Sequence, residues 1–231
     1  MIKNKKILAI TLARGGSKRV KRKNIIEICG KPLIQYTIEE VRKSSFIDRY
    51  VVSSDDIEVL SLCKGLGVDH IKRSSQNSLD TSTSADAIKE TLSHIKEEYD
   101  YVVEVMCTNP LKNVIDIDNA IEKLHSTNAD SVVSVVRIWD HHPSRVKFIE
   151  NDRLVDVYPE IPESRRQDLS PPAYVRNGSI YAFTMKSFKK FGTRLGDDCR
   201  AYIMPEERSI NIDEEIDLEL ARILIEKRKM S

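Results

Sequence analysis

Residues 7–24 read ILAITLARGGSKRVKRKN, an apolar run followed by two glycines and a strongly basic segment. The uncharged, β-branched run Ile7–Leu12 predicts a buried strand. In open α/β sheets, ligands bind beyond the carboxyl ends of the strands, and the segment from Arg14 to Asn24 leaves the predicted strand at that edge. The stretch therefore predicts the first strand of an α/β sheet, with an anion-binding loop directly after it.

The rest of the chain repeats this alternation of short apolar runs and segments of helical period. We predict strands at 7–12, 50–53, 68–72, 101–106, 131–137 and 179–183, and helices at 33–41, 57–62, 84–95, 115–124 and 216–227. Such alternation is typical of βαβ units around a mostly parallel sheet. The 231 residues suit a single α/β domain over 1–231 with a modest insert.

The regular alternation stops at about residues 139–175, where five prolines fall within a segment of few apolar residues. They are Pro143, Pro159, Pro162, Pro171 and Pro172. A long connection of this kind buries little by itself, so we expect an inserted lobe that packs on a second subunit or covers a ligand.

Composition narrows the possible partners. The 37 basic and 36 acidic residues leave a formal net charge of +1, so neither nucleic acid nor an anionic membrane is favoured overall. The apolar run near the N-terminus is too short for a secretory signal or a membrane span, which predicts a cytoplasmic protein. The four cysteines are widely separated, with the spacing of neither a zinc site nor a disulfide framework, and are expected to be reduced and mostly buried.

The basic loop carries the chemistry. Gly15 and Gly16 permit close approach of backbone amides to phosphate oxygens, and five of the six residues at 18–23 are basic. On a nearly neutral chain this favours a small, highly charged anion such as a triphosphate. A solvated basic run, a nuclear-localisation signal or a nucleic-acid patch is the alternative, without a second basic stripe or interleaved aromatics to support it. The spacing matches neither a P-loop nor a dinucleotide fingerprint.

Seven motifs, in the same order, resemble those of the acylneuraminate cytidylyltransferase family, the CMP-sialic acid synthetases. They are ARGGSK with KN from Ala13, VSSD from Val52 with Arg73, LDTS from Leu79, TNPLK from Thr108, HHP from His141, RNGSIY from Arg176 and NIDEEID from Asn211. The resemblance implies a Rossmann-like, three-layer α/β/α nucleotidyltransferase fold with a mostly parallel sheet and a small inserted dimerisation lobe.

The resemblance also implies an activity, the transfer of CMP from CTP to the anomeric hydroxyl of a nonulosonic acid with release of pyrophosphate. Four residues would be catalytic, namely Arg14, Lys18, Lys23 and Asp213. The nucleotide would contact Leu12, Ala13, Arg14, Gly15, Gly16, Ser17, Lys18, Lys23, Asn24, Arg73, Asp80 and Ser82. The sugar would contact Arg165, Gln167, Asn177 and Tyr181. A homodimer is expected, with Arg165 equally suited to a surface or subunit-contact role.

The family's metal segment reads AspIleAsp, whereas this chain has Asn211 and Asp213. A divalent cation, Mg²⁺ or Mn²⁺, is therefore expected at Asp213, with the Asn211 amide as a weaker, uncharged ligand. The alternative role for Asp213 is that of a cap on the last helix.

Two further departures bear on specificity. Relatives often have glutamine at the position of Met106 and proline at that of Cys107, so a different nucleotide such as GTP, or a 3-deoxy sugar acid, stays possible. Together with Asn211, this also leaves open a nucleotide-binding module without catalysis. RRQDL from Arg165 and the following RNGSIY resemble the sialate and legionaminate branches more than the pseudaminate branch.

Overall fold

The computed structural model describes residues 2, 4–74, 76–78 and 82–230. Strand β1, Ile7–Leu12, lies inside a seven-stranded sheet between two parallel neighbours. Its side chains alternate between two cores, with Ile7 and Ala9 on one face and Leu8 and Ile10 on the other. A run without charge, in which the one polar side chain, Thr11, donates to the Val105 carbonyl, is what a strand covered on both faces requires.

The sheet runs β11-β7-β10-β6-β1-β4-β5, and only β10 is antiparallel to its neighbours. Its strands are β1, β4 (Arg49–Ser54), β5 (Asp69–Lys72), β6 (Tyr101–Val105), β7 (Ser131–Ile138), β10 (Ala173–Thr184) and β11 (Cys199–Ile203). Two separate antiparallel ribbons pair β2 (Glu27–Ile28) with β3 (Lys31–Pro32), and β8 (Lys147–Glu150) with β9 (Arg153–Asp156).

Helices cover both faces of the sheet and give the three layers. They are α1 (Leu33–Val41), α2 (Ile57–Gly65), α3 (Ser84–Ser93), α4 (Val114–Thr127), α5 (Met185–Phe191) and α6 (Glu215–Met230). Helices α1, α2 and α4 pack on one face, and α3 and α5 pack on the other. Helix α6 packs on the beginning of α1, through a cluster that includes Leu33, Ile212 and Leu218. The predicted three-layer fold with a mostly parallel sheet is confirmed.

The structure differs from the sequence-based assignment on the carboxyl-terminal side of the sheet. Strand β10 begins at Ala173 instead of residue 179, and its first part pairs with the end of β7. Helix α5 and edge strand β11 were not predicted. In β11, Cys199, Arg200 and Ala201 are exposed, so pairing with β7 defines this strand more than any apolar run does.

The inserted segment is more ordered and more apolar at its surface than predicted. It holds the β8–β9 ribbon, whose strands are almost wholly exposed. Most of the exposed large apolar side chains among the described residues lie in this insert and at the beginning of β10: Val146, Phe148, Ile149, Leu154, Val155, Tyr158, Tyr174 and Val175. The segment therefore presents apolar surface that its own residues do not cover.

The expectation of mostly buried cysteines is wrong for half of them. Cys63 and Cys107 are buried, Cys29 is half-buried, and Cys199 is exposed on the edge strand β11. Edge position explains Cys199, since only one side of that strand is paired. Within the described ranges, no helix has the length and apolar content needed to cross a membrane.

Candidate nucleotide and metal site

The basic loop follows β1 and is held by the end of β4. The Ala13 amide donates to the Ser53 carbonyl at 2.9 Å, and the Ser54 hydroxyl donates to the Ala13 carbonyl at 2.6 Å. The Gly15 amide donates to Asp55 Oδ1 at 3.0 Å. A Cβ on Gly15 would lie 3.1 Å from the Asp56 side chain, so this close approach favours glycine.

These bonds modify the expected phosphate cradle. The Gly15 amide is taken by Asp55, and the Ser17 amide donates to the Gly15 carbonyl at 2.9 Å. Space beside Gly16 is open, with no heavy atom within 4 Å of an added Cβ. As described, the loop offers anions chiefly its basic side chains, and Arg14 and Lys18 are exposed.

The loop and the segment before α6 enclose a cavity of about 430 Å³. Its lining consists of Arg14, Ser17, Lys18, Arg19, Val20, Lys23 and Asp213. Four cations and one carboxylate therefore converge on one space, although Asp213 lies 190 residues beyond Lys23. This is the charge pattern expected of a polyphosphate site with an adjoining cation ligand.

Asp213 is engaged by Lys23 and Asn211. Lys23 Nζ donates to Asp213 Oδ1 at 2.9 Å and to the Ile212 carbonyl at 2.7 Å, and Asn211 Nδ2 donates to Asp213 Oδ2 at 2.6 Å. The amides of Asp213 and Glu214, at the beginning of α6, instead donate to Asp217 Oδ2. The capping role considered for Asp213 thus falls to Asp217.

The turn after β6 contacts both sides of the cavity wall. The Cys107 thiol donates to Asn24 Oδ1 at 3.0 Å, and Asn24 Nδ2 donates to the Arg14 carbonyl at 2.8 Å. Thr108 Oγ1 donates to Asn211 Oδ1 at 2.6 Å. Burial raises the pKa of the Cys107 thiol to about 11, so it remains a neutral donor. The side-chain oxygens of Asn24 and Asn211 thus already accept hydrogen bonds within the protein, and their contacts with nucleotide and metal stay predictions.

Gly178 makes room for the Asn211 side chain. It lies in β10 at φ +60°, where the register with β7 shifts, and an added Cβ would be 3.3 Å from the Asn211 amide. Positive φ and this close approach both favour glycine. Gly178 of the RNGSIY motif thereby leaves space for the Asn211 side chain, in the segment predicted to bind metal.

Arg73 is buried at 4% exposure beside the loop. Its amide donates to the Ser54 carbonyl at 2.8 Å, and its Nη2 lies 3.9 Å from Asp55 Oδ1. Burial lowers the Arg73 pKa, and Asp55 opposes that shift. The guanidinium thus lies beside the carboxylate that accepts from the Gly15 amide, a contact that the sequence did not reveal. The nucleotide contact of Arg73 stays a prediction.

The remaining predicted nucleotide contacts are dispersed. Leu12 is half-buried and Ala13 is fully buried, so their side chains belong to the core. Ser82 Oγ donates to the Gln76 carbonyl at 2.8 Å, before α3. Asp80 lies outside the described residues.

Two of the predicted sugar contacts are buried. Asn177, at 4% exposure, accepts from Ser134 Oγ and donates to Ser209 Oγ at 2.9 Å, which ties β10 to β7 and to the segment before α6. Tyr181, at 6% exposure, lies under the Arg194 guanidinium, 4.1 Å from its ring centroid. Their roles in sugar binding stay predictions, and the structure gives both of them packing roles.

Arg165 and Gln167 lie in the insert and are exposed. Arg165 Nε donates to Asp168 Oδ2 at 2.7 Å. Neither residue lines the loop cavity. This chain alone does not bring them to the phosphate site, and their contact with sugar stays a prediction.

A larger open groove of about 1460 Å³ shares no lining residue with the loop cavity. It is bounded by Asp100, Tyr101 and Thr184, at the beginning of β6 and the end of antiparallel β10. That is the amino-terminal edge of the parallel strands, opposite the edge at which α/β sheets bind ligands. Position therefore favours the smaller cavity as the functional site.

The loop cavity offers one carboxylate, so a divalent cation there would need further ligands from the substrate. Among the described residues, no group of three or more His, Cys, Asp or Glu side chains could hold a metal. Mg²⁺ needs less, because it is commonly bound by one or two carboxylates, waters and substrate phosphates. The half-exposed Asp213 carboxylate suits this mode, whereas the Asn211 oxygen already accepts from Thr108.

The sheet order, with a basic loop after β1 and an acidic residue facing it, matches a Rossmann-like nucleotidyltransferase fold in two solved structures. The structure superposes on CMP:2-keto-3-deoxy-manno-octonic acid synthetase complexed with CTP, with a TM-score of 0.73, 18% identity, and coverage of 96% of this chain and 99% of that one. It also superposes on 4-diphosphocytidyl-2C-methyl-D-erythritol synthase from Anaerococcus prevotii, with a TM-score of 0.68, 18% identity and 96% coverage of each chain. These similarities support the fold.

Sequence comparison is more specific. The family model described as cytidylyltransferase matches residues 8–230, and the chain belongs to that family. It is 31% identical to a pseudaminic acid cytidylyltransferase of Campylobacter jejuni, over 95% of this chain and 96% of the relative. It is 30% identical to an N-acylneuraminate cytidylyltransferase of Escherichia coli and 34% identical to N-acylneuraminate cytidylyltransferase A of Danio rerio, covering 97% and 95% of this chain. The chain spans about half the length of these two relatives.

Proposed function

We propose that this cytidylyltransferase transfers CMP from CTP to the anomeric hydroxyl of a nonulosonic acid of the N-acetylneuraminate or legionaminate type. The observation that carries the proposal is the loop cavity, in which four basic side chains face Asp213. The names of the relatives support an acidic sugar as the acceptor, both for the one matched over nearly its whole length and for the two matched over about half.

The loop's charge suits the reaction. The anomeric oxygen forms a bond to the α-phosphorus while the α–β phosphoanhydride bond breaks and pyrophosphate leaves. Negative charge spreads over the phosphoryl oxygens in the transition state, and positioned cations stabilise it. Arg14, Lys18 and Lys23 supply such cations, with Arg14 anchored through its carbonyl by Asn24.

Binding of the nucleotide requires an exchange of partners at Asp213. In the chain alone, Lys23 pairs with this carboxylate. We infer that Lys23 would bind the triphosphate and that Asp213 would be the carboxylate available to hold Mg²⁺ or Mn²⁺, so the present ion pair would be replaced by two substrate-linked contacts. When bound, the cation neutralises phosphate charge and helps to orient the acceptor oxygen. Asn211 can join as a ligand if its oxygen leaves Thr108.

Pyrophosphate release tests the proposal. CTP and GTP are each combined with N-acetylneuraminate, legionaminate, pseudaminate and 3-deoxy-manno-octulosonate in the presence of Mg²⁺, with every component also assayed alone. We expect release only for CTP with N-acetylneuraminate or legionaminate. Release with GTP would change the assigned nucleotide. Release only with CTP and one of the other two acids would change the assigned acceptor. No release with any pair despite tight CTP binding identifies the non-catalytic nucleotide-binding module instead.

The Asn211→Asp variant is expected to need less metal. A second carboxylate beside Asp213 increases the ligand charge, which is the main determinant of affinity at such oxygen sites. We expect the Mg²⁺ concentration for half-maximal activity to fall about tenfold, from Mg²⁺ titrations at saturating CTP. Asn211→Ala, which removes the amide without adding charge, is the matched control. An unchanged Mg²⁺ requirement in Asn211→Asp would place the metal elsewhere.

We further propose that the insert, residues 139–175, forms a homodimer contact. The β8–β9 ribbon is exposed on both faces, with Ile149 (75%) opposite Leu154 (74%) on one face and Phe148 (58%) opposite Val155 (38%) on the other. Exposed apolar pairs on a two-stranded ribbon favour an interaction surface. Dimerisation through it is also the way in which Arg165 and Gln167 could reach a site, namely that of the partner.

The variant Phe148→Asp/Leu154→Asp is expected to be monomeric in light scattering after size exclusion, because it places a charge on each face of the ribbon and the face in the contact would bury one. Ile57→Asp changes an equally exposed apolar residue on α2 and serves as the control. A wild-type monomer, or a dimer that survives both insert charges, would exclude this interface.

A further inference from the structure

Lys112, in the turn before α4, is a lysine buried to 2% exposure. Its amine donates to Thr37 Oγ1 at 2.8 Å, to the Met106 carbonyl at 2.6 Å and to the Asn109 carbonyl at 2.5 Å. An ammonium group has three protons, and here each proton has one acceptor. Complete pairing of this kind is what makes burial of a charged amine tolerable.

Two of these acceptors are backbone carbonyls of one turn, residues 106–109, directly after β6. Burial lowers the Lys112 pKa to about 7, and Cys107, Glu40 and Asp116 are the ionisable groups that oppose the shift. Loss of the amine would leave two carbonyls inside the protein without this donor, which destabilises the local conformation. Lys112 therefore fixes the position of this turn.

The 106–109 turn contacts both segments that border the proposed CTP site, namely the basic loop and the segment of Asn211 and Asp213. On the loop side, the Cys107 thiol reaches Asn24, which binds the Arg14 carbonyl. On the metal side, Thr108 donates to Asn211, and the Ile212 amide donates to the Thr108 carbonyl at 2.8 Å. A shift of residues 106–109 would displace the two segments together.

We propose that Lys112 is a positioning residue for the CMP transfer, holding the 106–109 turn so that the basic loop and Asp213 keep the separation that the triphosphate and its cation require. The inference rests on the proposed function. Its structural half, that Lys112 orders the turn, can be tested without turnover.

The structural test is alkylation by iodoacetamide, read for each cysteine by peptide mass spectrometry. Lys112→Met retains the length of the side chain and removes all three donors. We expect Cys107 labelling to accelerate about tenfold relative to Cys63, the other buried thiol, because only the turn loosens. Leu124→Ala, a cavity variant in α4, should accelerate both thiols equally through general destabilisation. Lys112→Arg, which keeps a cation with several donors, should restore slow labelling.

The kinetic test separates positioning from stability. In Lys112→Met we expect kcat to fall about 100-fold, as for misplaced reacting groups, with substantial rescue in Lys112→Arg and little change in Leu124→Ala. If Lys112→Met does not fold, Thr37→Val removes one acceptor and should show the same pattern in weaker form. An unchanged ratio of Cys107 to Cys63 labelling, or a kcat equal to that of wild type, overturns the inference. A wild-type protein without turnover contradicts the proposed function, and the labelling ratio then still decides the role of Lys112.

Discussion

Asp213→Asn is expected to lower kcat/KM about 100-fold to 1000-fold in the presence of Mg²⁺. A cation at a reacting phosphate contributes several kcal/mol, and each ~1.4 kcal/mol is a factor of ten in rate. Asp213 is the only carboxylate that lines the cavity, as far as the described residues extend. The measurement is pyrophosphate release at several Mg²⁺ concentrations, together with the melting temperature.

Stability should not account for the loss. The Asp213 side chain is 56% exposed, an asparagine keeps an oxygen that can accept from Lys23, and Lys23 retains its bond to the Ile212 carbonyl. Glu214→Gln removes the adjacent carboxylate, which pairs with Arg19 and does not line the cavity, and should retain most of the activity. An Asp213→Asn variant as active as Glu214→Gln would show that the cation is held elsewhere.

Lys18→Ala is expected to lower kcat/KM with CTP about 100-fold, because one of the positioned charges at the phosphates is lost. Lys18 is exposed and lines the cavity, so the fold should not depend on its charge. Steady-state pyrophosphate release gives kcat/KM, and calorimetric titration with CTP gives the affinity in the absence of sugar.

Lys21→Ala is the matched control for this loop. Lys21 is also exposed and basic, three residues along, but it does not line the cavity. We expect it to behave as wild type, apart from a small effect of net charge at low salt. Equal losses in both variants would indicate a diffuse basic patch instead of a shaped phosphate site.

Sequence reasoning worked best where local pattern and tertiary role coincide. The uncharged residues of β1 predicted a strand covered on both faces, and it occupies that position in the sheet. The basic loop, with its position after this strand, predicted an anion site, and the loop does border a cavity. Both features are encoded within 18 consecutive residues, so no distant contact was needed to infer them.

Elements that depend on neighbours were missed. Strand β11 has an exposed, mixed sequence and becomes a strand by pairing with β7. Helix α5 has only seven residues, and its first turn is capped by Thr184. At the beginning of β10, Pro171 and Pro172 come directly before Ala173, and this signal for a break concealed the strand that follows.

Burial was the feature of the predicted site residues that the sequence did not reveal. Asn177 and Tyr181 are polar residues in a recognisable motif, yet both are buried, and the bonds of Asn177 described above go to other protein groups. The contact of Thr108 with Asn211 spans 103 residues and could not be inferred from spacing. Lys112 was visible only as the end of the TNPLK motif, and its burial emerges only when β6, α1 and α4 are packed together.

Identification of the product tests the central claim most directly. Wild-type protein is incubated with CTP, Mg²⁺ and N-acetylneuraminate or legionaminate, and the mixture is followed by phosphorus NMR and mass spectrometry. The proposed reaction predicts one new phosphodiester signal, a product with the mass of the CMP-linked sugar acid, and an equal amount of pyrophosphate. Consumption of CTP without a CMP-linked sugar, or firm CTP binding without any product from either acid, would contradict it.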